Sequence, residues 1–137
     1  MSRQNFIVRA VADNWHGNLS NDEEFHLPSI EAISDLIGLL NANDRTIISL
    51  SGRNGSSLTI GGGSDQYIVF ASTPDENLWN LTSERIETEK NIVLKIGGQE
   101  GDFSPREVVD RKTVDDAVRS FFVDGRLQPS SRWEKPA

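Results

Sequence analysis

Thr46-Ile47-Ile48-Ser49-Leu50, Ser57-Leu58-Thr59-Ile60 and Gln66-Tyr67-Ile68-Val69-Phe70-Ala71-Ser72 follow one another in close order. All three runs are rich in β-branched or aromatic residues, which fit a pleated, half-buried surface and predict strands. Arg53-Asn54-Gly55 separates the first two, and Asn-Gly supplies the positive φ of a tight hairpin. Gly61-Gly62-Gly63-Ser64-Asp65 leads to the third and predicts a turn or bulge. Strands joined this closely pair antiparallel, with Tyr67-Ile68-Val69-Phe70 reading as a central strand.

Moving outward, Phe6 to Ala12 alternates as a first strand, and Asn91 to Ile96 is another, closed by Gly97-Gly98-Gln99. Leu78 to Leu81 and Arg106 to Asp110 read as shorter strands. The polar stretch Asp13 to His26 carries the turn formers Gly17, Asn18, Ser20 and Asn21. Two helices are well marked. The first has Ser29 as N-cap, Glu31 in its first turn and an apolar stripe of Ile30, Ile33, Leu36, Ile37 and Leu40, and Asn41 to Asp44 ends it. The second has Thr113 as expected cap, Asp115 and Asp116 in the first turn, a stripe of Val114, Ala117, Val118, Phe121 and Phe122, and Gly125 just past its end. Pro129 and then Ser131 to Glu134 predict a last strand or edge segment. The expected architecture is α+β, a mainly antiparallel sheet with two helices packed on one face.

The chain has 137 residues, the length of one ordinary domain, so residues 1–137 are read as a single unit able to bury a core of its own. It has no cysteine, which excludes disulfides, thiolate chemistry and cysteine-bound zinc. No apolar h-region follows Met1, and no apolar run approaches the ~18 residues of a membrane span. The reading is therefore cytoplasmic, with no membrane association, and the triplets at Asn18, Asn54 and Asn80 are chance matches to a glycosylation pattern.

The net charge is −7, and its placement is uneven. Between Arg9 and Arg45 there is no Lys or Arg, while Asp13, Asp22, Glu23, Glu24, Glu31, Asp35 and Asp44 fall there. Those seven acids account for the whole excess, since the rest of the chain has 14 acids and 14 bases. A second run, Asp65 to Glu89, holds six acids and the single base Arg85. Such surfaces repel phosphate backbones and anionic lipid, which argues against nucleic acid as a partner. They either keep the protein soluble or steer and dock a basic partner.

The search for chemistry returns no catalytic, cofactor or metal site. A phosphate loop would need Gly-Lys-Ser/Thr and a helix start after Gly61-Gly62-Gly63, where Asp65 and a strand follow instead. His16 and His26 lie ten apart in the polar stretch, without ligand spacing. Gly55-Ser56-Ser57 and Gly63-Ser64-Asp65 lack the pattern of a nucleophile elbow. The protein is read as a non-enzyme. The candidate partner-binding residues are Trp15, Asp22, Glu23 and Glu24 in the first acidic run and Asp75, Glu76 and Trp79 in the second, because tryptophan beside charge is the composition of interface hot spots. Either tryptophan can equally cover an edge of the core, and Trp133 reads as structural.

Four features together resemble family one of the bacterial immunity proteins, the antitoxins of polymorphic and contact-dependent toxin systems. They are Leu58-Thr59-Ile60-Gly61-Gly62-Gly63 through Tyr67-Ile68-Val69; Gly97-Gly98-Gln99 with Phe103-Ser104-Pro105 and Arg106-Glu107-Val108-Val109; the helix Val114 to Phe122; and the ending Gly125 to Glu134, with its Gly-x-x-x-Pro-x-x-x-Trp spacing. The resemblance runs from about Leu58 to Glu134 and rests on order and spacing. It implies an α+β protein that neutralises a cognate toxin, often a nucleic-acid deaminase, by binding and occluding its active site. The implied partner is a basic protein domain, and the free protein is expected as a monomer or weak dimer. The competing readings are a non-inhibitory adaptor module and a small-ligand carrier with an apolar pocket between sheet and helices.

Overall fold

The computed structural model describes residues 6–75, 77–84, 90–127 and 132–135. Its frame is a seven-stranded antiparallel sheet. The strands are β1 (Ile7–Ala12), β4 (Glu23–His26), β5 (Ile47–Gly52), β6 (Ser57–Gly63), β7 (Gln66–Ser72), β8 (Leu78–Thr82) and β11 (Arg132–Glu134), in the order β11-β8-β7-β6-β5-β1-β4. A short hairpin, β2 (Trp15–His16) and β3 (Leu19–Ser20), and a longer one, β9 (Ile92–Ile96) and β10 (Gln99–Phe103), form separate pairs. Helices α1 (Ile30–Leu39) and α2 (Arg111–Asp124) complete an α+β fold.

The central hairpins have the register that their alternation demands. Ile48 and Leu50 pair with Ile60 and Leu58, which pair in turn with Val69 and Ala71. This face is joined by Ile33, Leu36 and Ile37 of α1 and Val114, Ala117, Val118 and Phe121 of α2 in one buried cluster. Both helices therefore lie on one face. The two are tied by Arg111, whose guanidinium donates to Asp115 (2.9 Å) and to the Ser34 carbonyl (3.0 Å).

The opposite face alternates with the first: Ser49, Ser51, Ser57, Thr59, Ile68 and Phe70 point that way. Part of it is covered by the β9–β10 hairpin. A Cβ on Gly61 would stand 2.7 Å from the Ile96 side chain, so the hairpin approaches there as closely as a bare backbone permits. At the hairpin tip Gly97 and Gly98 have φ of 62° and 82°, the left-handed pair of a primed turn.

Several elements depart from the expectation, each for a local reason. Gly61-Gly62-Gly63 is not the turn but the end of β6, and the turn is Ser64-Asp65, both left-handed (φ 55° and 67°). Asp65 is held there because its carboxylate accepts the Arg111 amide at 2.9 Å. Gly63, at φ 155°, lies so close to the chain leaving α1 that a Cβ would meet Asn41 Cα at 2.6 Å. Gly63→Ala should therefore cost roughly 1–3 kcal/mol from backbone strain, read as a lower urea midpoint.

Residues 13–26 are not all loop, since β2, β3 and the edge strand β4 form there. Arg106 to Asp110 is not a strand: Ser104 accepts the Arg106 amide at 3.3 Å and starts a 3-10 turn over Pro105–Glu107. Pro105 favours that turn because its fixed φ suits a helical first position. The following residue Val109 bridges to Tyr67. The chain turns into the helix directly after that bridge, so α2 is capped by Asp110 rather than Thr113, three residues earlier than expected. Asp115 and Asp116 then fall outside the first turn and pair with Arg111 and Lys112 at i,i+4 spacing. The Pro129 and Ser131 positions lie outside the described residues, while the edge strand that follows them is β11, paired with β8.

The Asp110 cap carries a pH signature. Hydrogen bonds from the Thr113 hydroxyl (2.7 Å) and the Thr113 amide (2.9 Å) hold its carboxyl below the usual aspartate value. A depressed native value stabilises the fold above the unfolded value of ~3.9, and that stability is lost as pH falls through the native one. Asp110→Ala should cost about 1 kcal/mol at neutral pH. The gap between parent and variant should close below about pH 4 in paired urea denaturations.

Candidate interaction surfaces

The first acidic run divides in three dimensions. Asp13 is buried, 5% exposed, and belongs to the interior. Its carboxylate accepts the Thr46 amide (2.7 Å), the Ile47 amide (3.0 Å), the Thr46 hydroxyl and the Trp15 indole N–H (2.7 Å). Trp15 is thereby fixed, and its ring lies against Gly98 at the tip of the β9–β10 hairpin. It is half-buried and works as a cover.

Asp22, Glu23 and Glu24 are not one loop. Asp22 is exposed and accepts the Ser20 hydroxyl at 2.7 Å. Glu23 and Glu24 open β4 and point to opposite faces, Glu23 opposite Ala12 and Glu24 opposite Val11. Glu23 pairs with Arg45 at 3.1 Å, and Glu24 pairs with Arg9 and lies 3.6 Å from His26. The hydrogen bond from Arg9 holds the Glu24 carboxyl below its usual value. The arginines that bound the base-free stretch thus fold back onto its densest point. Asp22, Glu31, Asp35 and Asp44 form no ion pair among the described residues, and Asp44 is held below its usual value by the Asn41 amide.

Beside these charges, Leu19 (72% exposed), Phe25 (36%) and Leu27 (65%) are large apolar side chains in solvent. Leu27 also has a left-handed backbone, φ 48°, directly before Pro28. A bulky residue in that conformation is strained. The sequence reading passed over these three. A signal was present in Phe25 and Leu27, apolar residues set inside Asp22-Glu23-Glu24-Phe25-His26-Leu27 where polarity alone would suggest loop.

The second run lies elsewhere. Asp75 is in the β7–β8 turn, where its carboxylate accepts the Thr73 hydroxyl and the Asn77 amide (2.7 Å) and is held below its usual value by the first. Glu76 lies outside the described residues. Trp79, on β8, is half-buried against the core, and Lys135 sits 5.3 Å from its ring centroid. From β4 to β8 the sheet order gives five strand spacings, roughly 24 Å. The structure therefore brings Asp22, Glu23 and Glu24 together at one edge, and Asp75 and Trp79 near the other, without merging the two.

Hollows in the surface lie on both faces. One of about 90 Å³ sits between the helices, lined by residues that include Ile37, Asp115 and Arg119. A larger cleft of about 230 Å³ lies on the opposite face, lined by Ile68, Val69, Phe70, Asn80, Leu81, Phe103 and Glu107. The small-ligand reading had placed a pocket between sheet and helices, whereas this cleft lies between the sheet and the β9–β10 hairpin. Among the described residues no group of three or more His, Asp or Glu is placed to hold a metal ion, and no helix is long and apolar enough to cross a membrane. No model of a known protein family matches the chain, and a search of curated proteins finds no match.

Proposed function

We propose that this protein works by binding another protein, and that it is an immunity protein that neutralises a basic toxin domain by occluding its active site. The observation that supports this most is the edge formed by residues 19–27. There Leu19, Phe25 and Leu27 stand in solvent among Asp22, Glu23 and Glu24. Apolar anchors ringed by charge are the composition of a protein interface, and the acid in excess there, Asp22 beside Glu23 and Glu24 paired with Arg45 and Arg9, steers an oppositely charged partner. The resemblance over Leu58 to Glu134 supplies the toxin, and a nucleic-acid-acting domain such as a deaminase would carry the positive groove that these carboxylates suit. In this reading the protein is no enzyme, needs no cofactor, acts in the cytoplasm and binds one-to-one.

The test is a titration of the toxin domain encoded beside this gene. Activity should fall linearly to zero at one equivalent, and undiminished activity at excess would reject the inhibitory role. The charge component has its own readout. Changing Asp22, Glu23 and Glu24 to lysine should slow association about tenfold at low salt and flatten its salt dependence. Exposed ion pairs contribute only ~0–1 kcal/mol each, so the loss of the Arg9 and Arg45 pairs should leave the melting temperature nearly unchanged. Stopped-flow association at low and high salt reads the effect.

A further inference from the structure

The cleft beyond the β9–β10 hairpin contains an uncompensated charge. Glu107, in the 3-10 turn, lines it and is half-buried, yet its carboxylate makes no hydrogen bond or ion pair among the described residues. The turn itself is well held. The Glu107 amide donates to the Ser104 carbonyl (2.8 Å), the Ser83 hydroxyl to the Pro105 carbonyl (2.9 Å), and the neighbouring Arg106 pairs with Glu134. The Asn80 side-chain amide, also half-buried in the cleft, is likewise without a partner among the described residues. The remaining walls are apolar: Ile68 and Phe70 from β7 and Phe103 from the end of β10. Phe70 and Phe103 stack on no other ring among the described residues.

A carboxylate with no partner among the described residues, set beside apolar walls, matches a cation carried on an apolar stem, because the opposite charges attract while the stem packs on the walls. An anion would be repelled, and a neutral apolar group would leave Glu107 uncompensated. A bare, strongly hydrated metal ion would gain nothing from the rings. A cleft of about 230 Å³ is also below the ~300–1,000 Å³ of drug-sized sites, which limits the occupant to a group the size of one side chain. We propose that this cleft is a binding site for an organic cation with a short apolar stem, an alkyl-guanidinium or alkyl-ammonium group. The stem packs on Ile68, Phe70 and Phe103, and the head pairs with Glu107 and the Asn80 carbonyl, with a cation–π contribution from the rings. This site stands apart from the edge at residues 19–27 and does not depend on the inhibitory reading.

The test follows the resonances of Phe70, Asn80 and Phe103 during titration with butylguanidinium, with butan-1-ol and butyrate as neutral and anionic counterparts at constant ionic strength. Butylguanidinium should bind saturably and at least tenfold more tightly than the alcohol, and butyrate should not bind. Glu107→Gln should reduce the cation to the affinity of the alcohol, while Phe103→Ala should weaken both. A capped Gly-Arg-Gly peptide separates the sources: affinity equal to that of the free ion assigns the site to a protein's arginine, and affinity tenfold weaker assigns it to a free small cation. Equal binding of alcohol and cation, absence of a saturable shift, or an unchanged Glu107→Gln variant with native spectral dispersion would overturn the proposal.

Discussion

Phe121→Ala should lower the unfolding free energy by roughly 3–5 kcal/mol, the range for deleting a fully buried phenylalanine. Phe121 is 1% exposed at the centre of the cluster that joins α2 to the sheet. Its ring meets Phe6 edge to face, with centroids 5.3 Å apart and planes at 82°, an arrangement that adds to simple burial. Phe6 cannot shift to fill the space freely. Its amide donates to the Phe122 carbonyl at 3.0 Å, and its ring is laid over Gly52 and Gly125. The residual cavity should therefore stay open, which places the cost towards the upper end of the range. Phe122 is only half-buried, so Phe122→Ala should cost distinctly less, under about 2 kcal/mol by lost apolar area. Urea denaturation of the two variants, with unchanged slope, checks the ordering. Equal effects would mean that α2 is rotated from the placement described.

Both phenylalanines belong to the stripe that the 3.6-residue period identifies, and the division between them depends on a contact outside the helix. The same holds more widely. The strands from Ile47 to Ser72 and helix α1 were legible because their periodicity, turn residues and Ser29 cap agree, and agreement across those levels leaves few alternatives. β10 was not legible, because Gln99-Glu100-Gly101-Asp102 has little strand propensity, and it pairs only because the Gly97-Gly98 turn folds it onto β9. β4 was hidden by its own charges, which are the means by which an edge strand resists further pairing. Asp110 and Thr113 are both good caps three residues apart, and the choice is made by the Tyr67–Val109 bridge.

For the candidate surface, composition told how many acids there are and not which remain free. Arg9 and Arg45 lie outside the base-free stretch in sequence and return to Glu23 and Glu24 through strand pairing and side-chain reach. The apolar anchors were missed because Leu19, Phe25 and Leu27 show no period that separates an exposed residue from a buried one. Glu107 was read as part of a strand, and its isolation becomes visible only when the hairpin and the 3-10 turn enclose the cleft.

Asp13→Ala should be as damaging as the loss of Phe121, for the opposite reason. The acid that sequence counting assigns to the surface is the acceptor for four donors, two of them on Thr46, which is fully buried. Removing the carboxylate leaves those donors without partners, and each buried one costs about 1–3 kcal/mol. The Thr46 hydroxyl can turn to another acceptor and the half-buried Trp15 indole can reach water, so roughly 3–5 kcal/mol is expected in total. The loss should also spread along a defined path. Thr46 accepts the Gly98 amide at 3.2 Å, and Trp15 lies on Gly98, so this network is what fastens the β9–β10 hairpin to the sheet at its tip. Amide exchange at Thr46, Ile47 and Gly98 should accelerate well beyond the global change, because the hairpin gains a local opening that the parent lacks. Asp13→Asn keeps one acceptor oxygen, so it should fall between parent and alanine in urea midpoint and restore part of the Gly98 protection. An alanine variant with parent-like stability and unaltered exchange at Gly98 would mean that the carboxylate is solvated and that the hairpin is held by Ile96 and Leu94 alone.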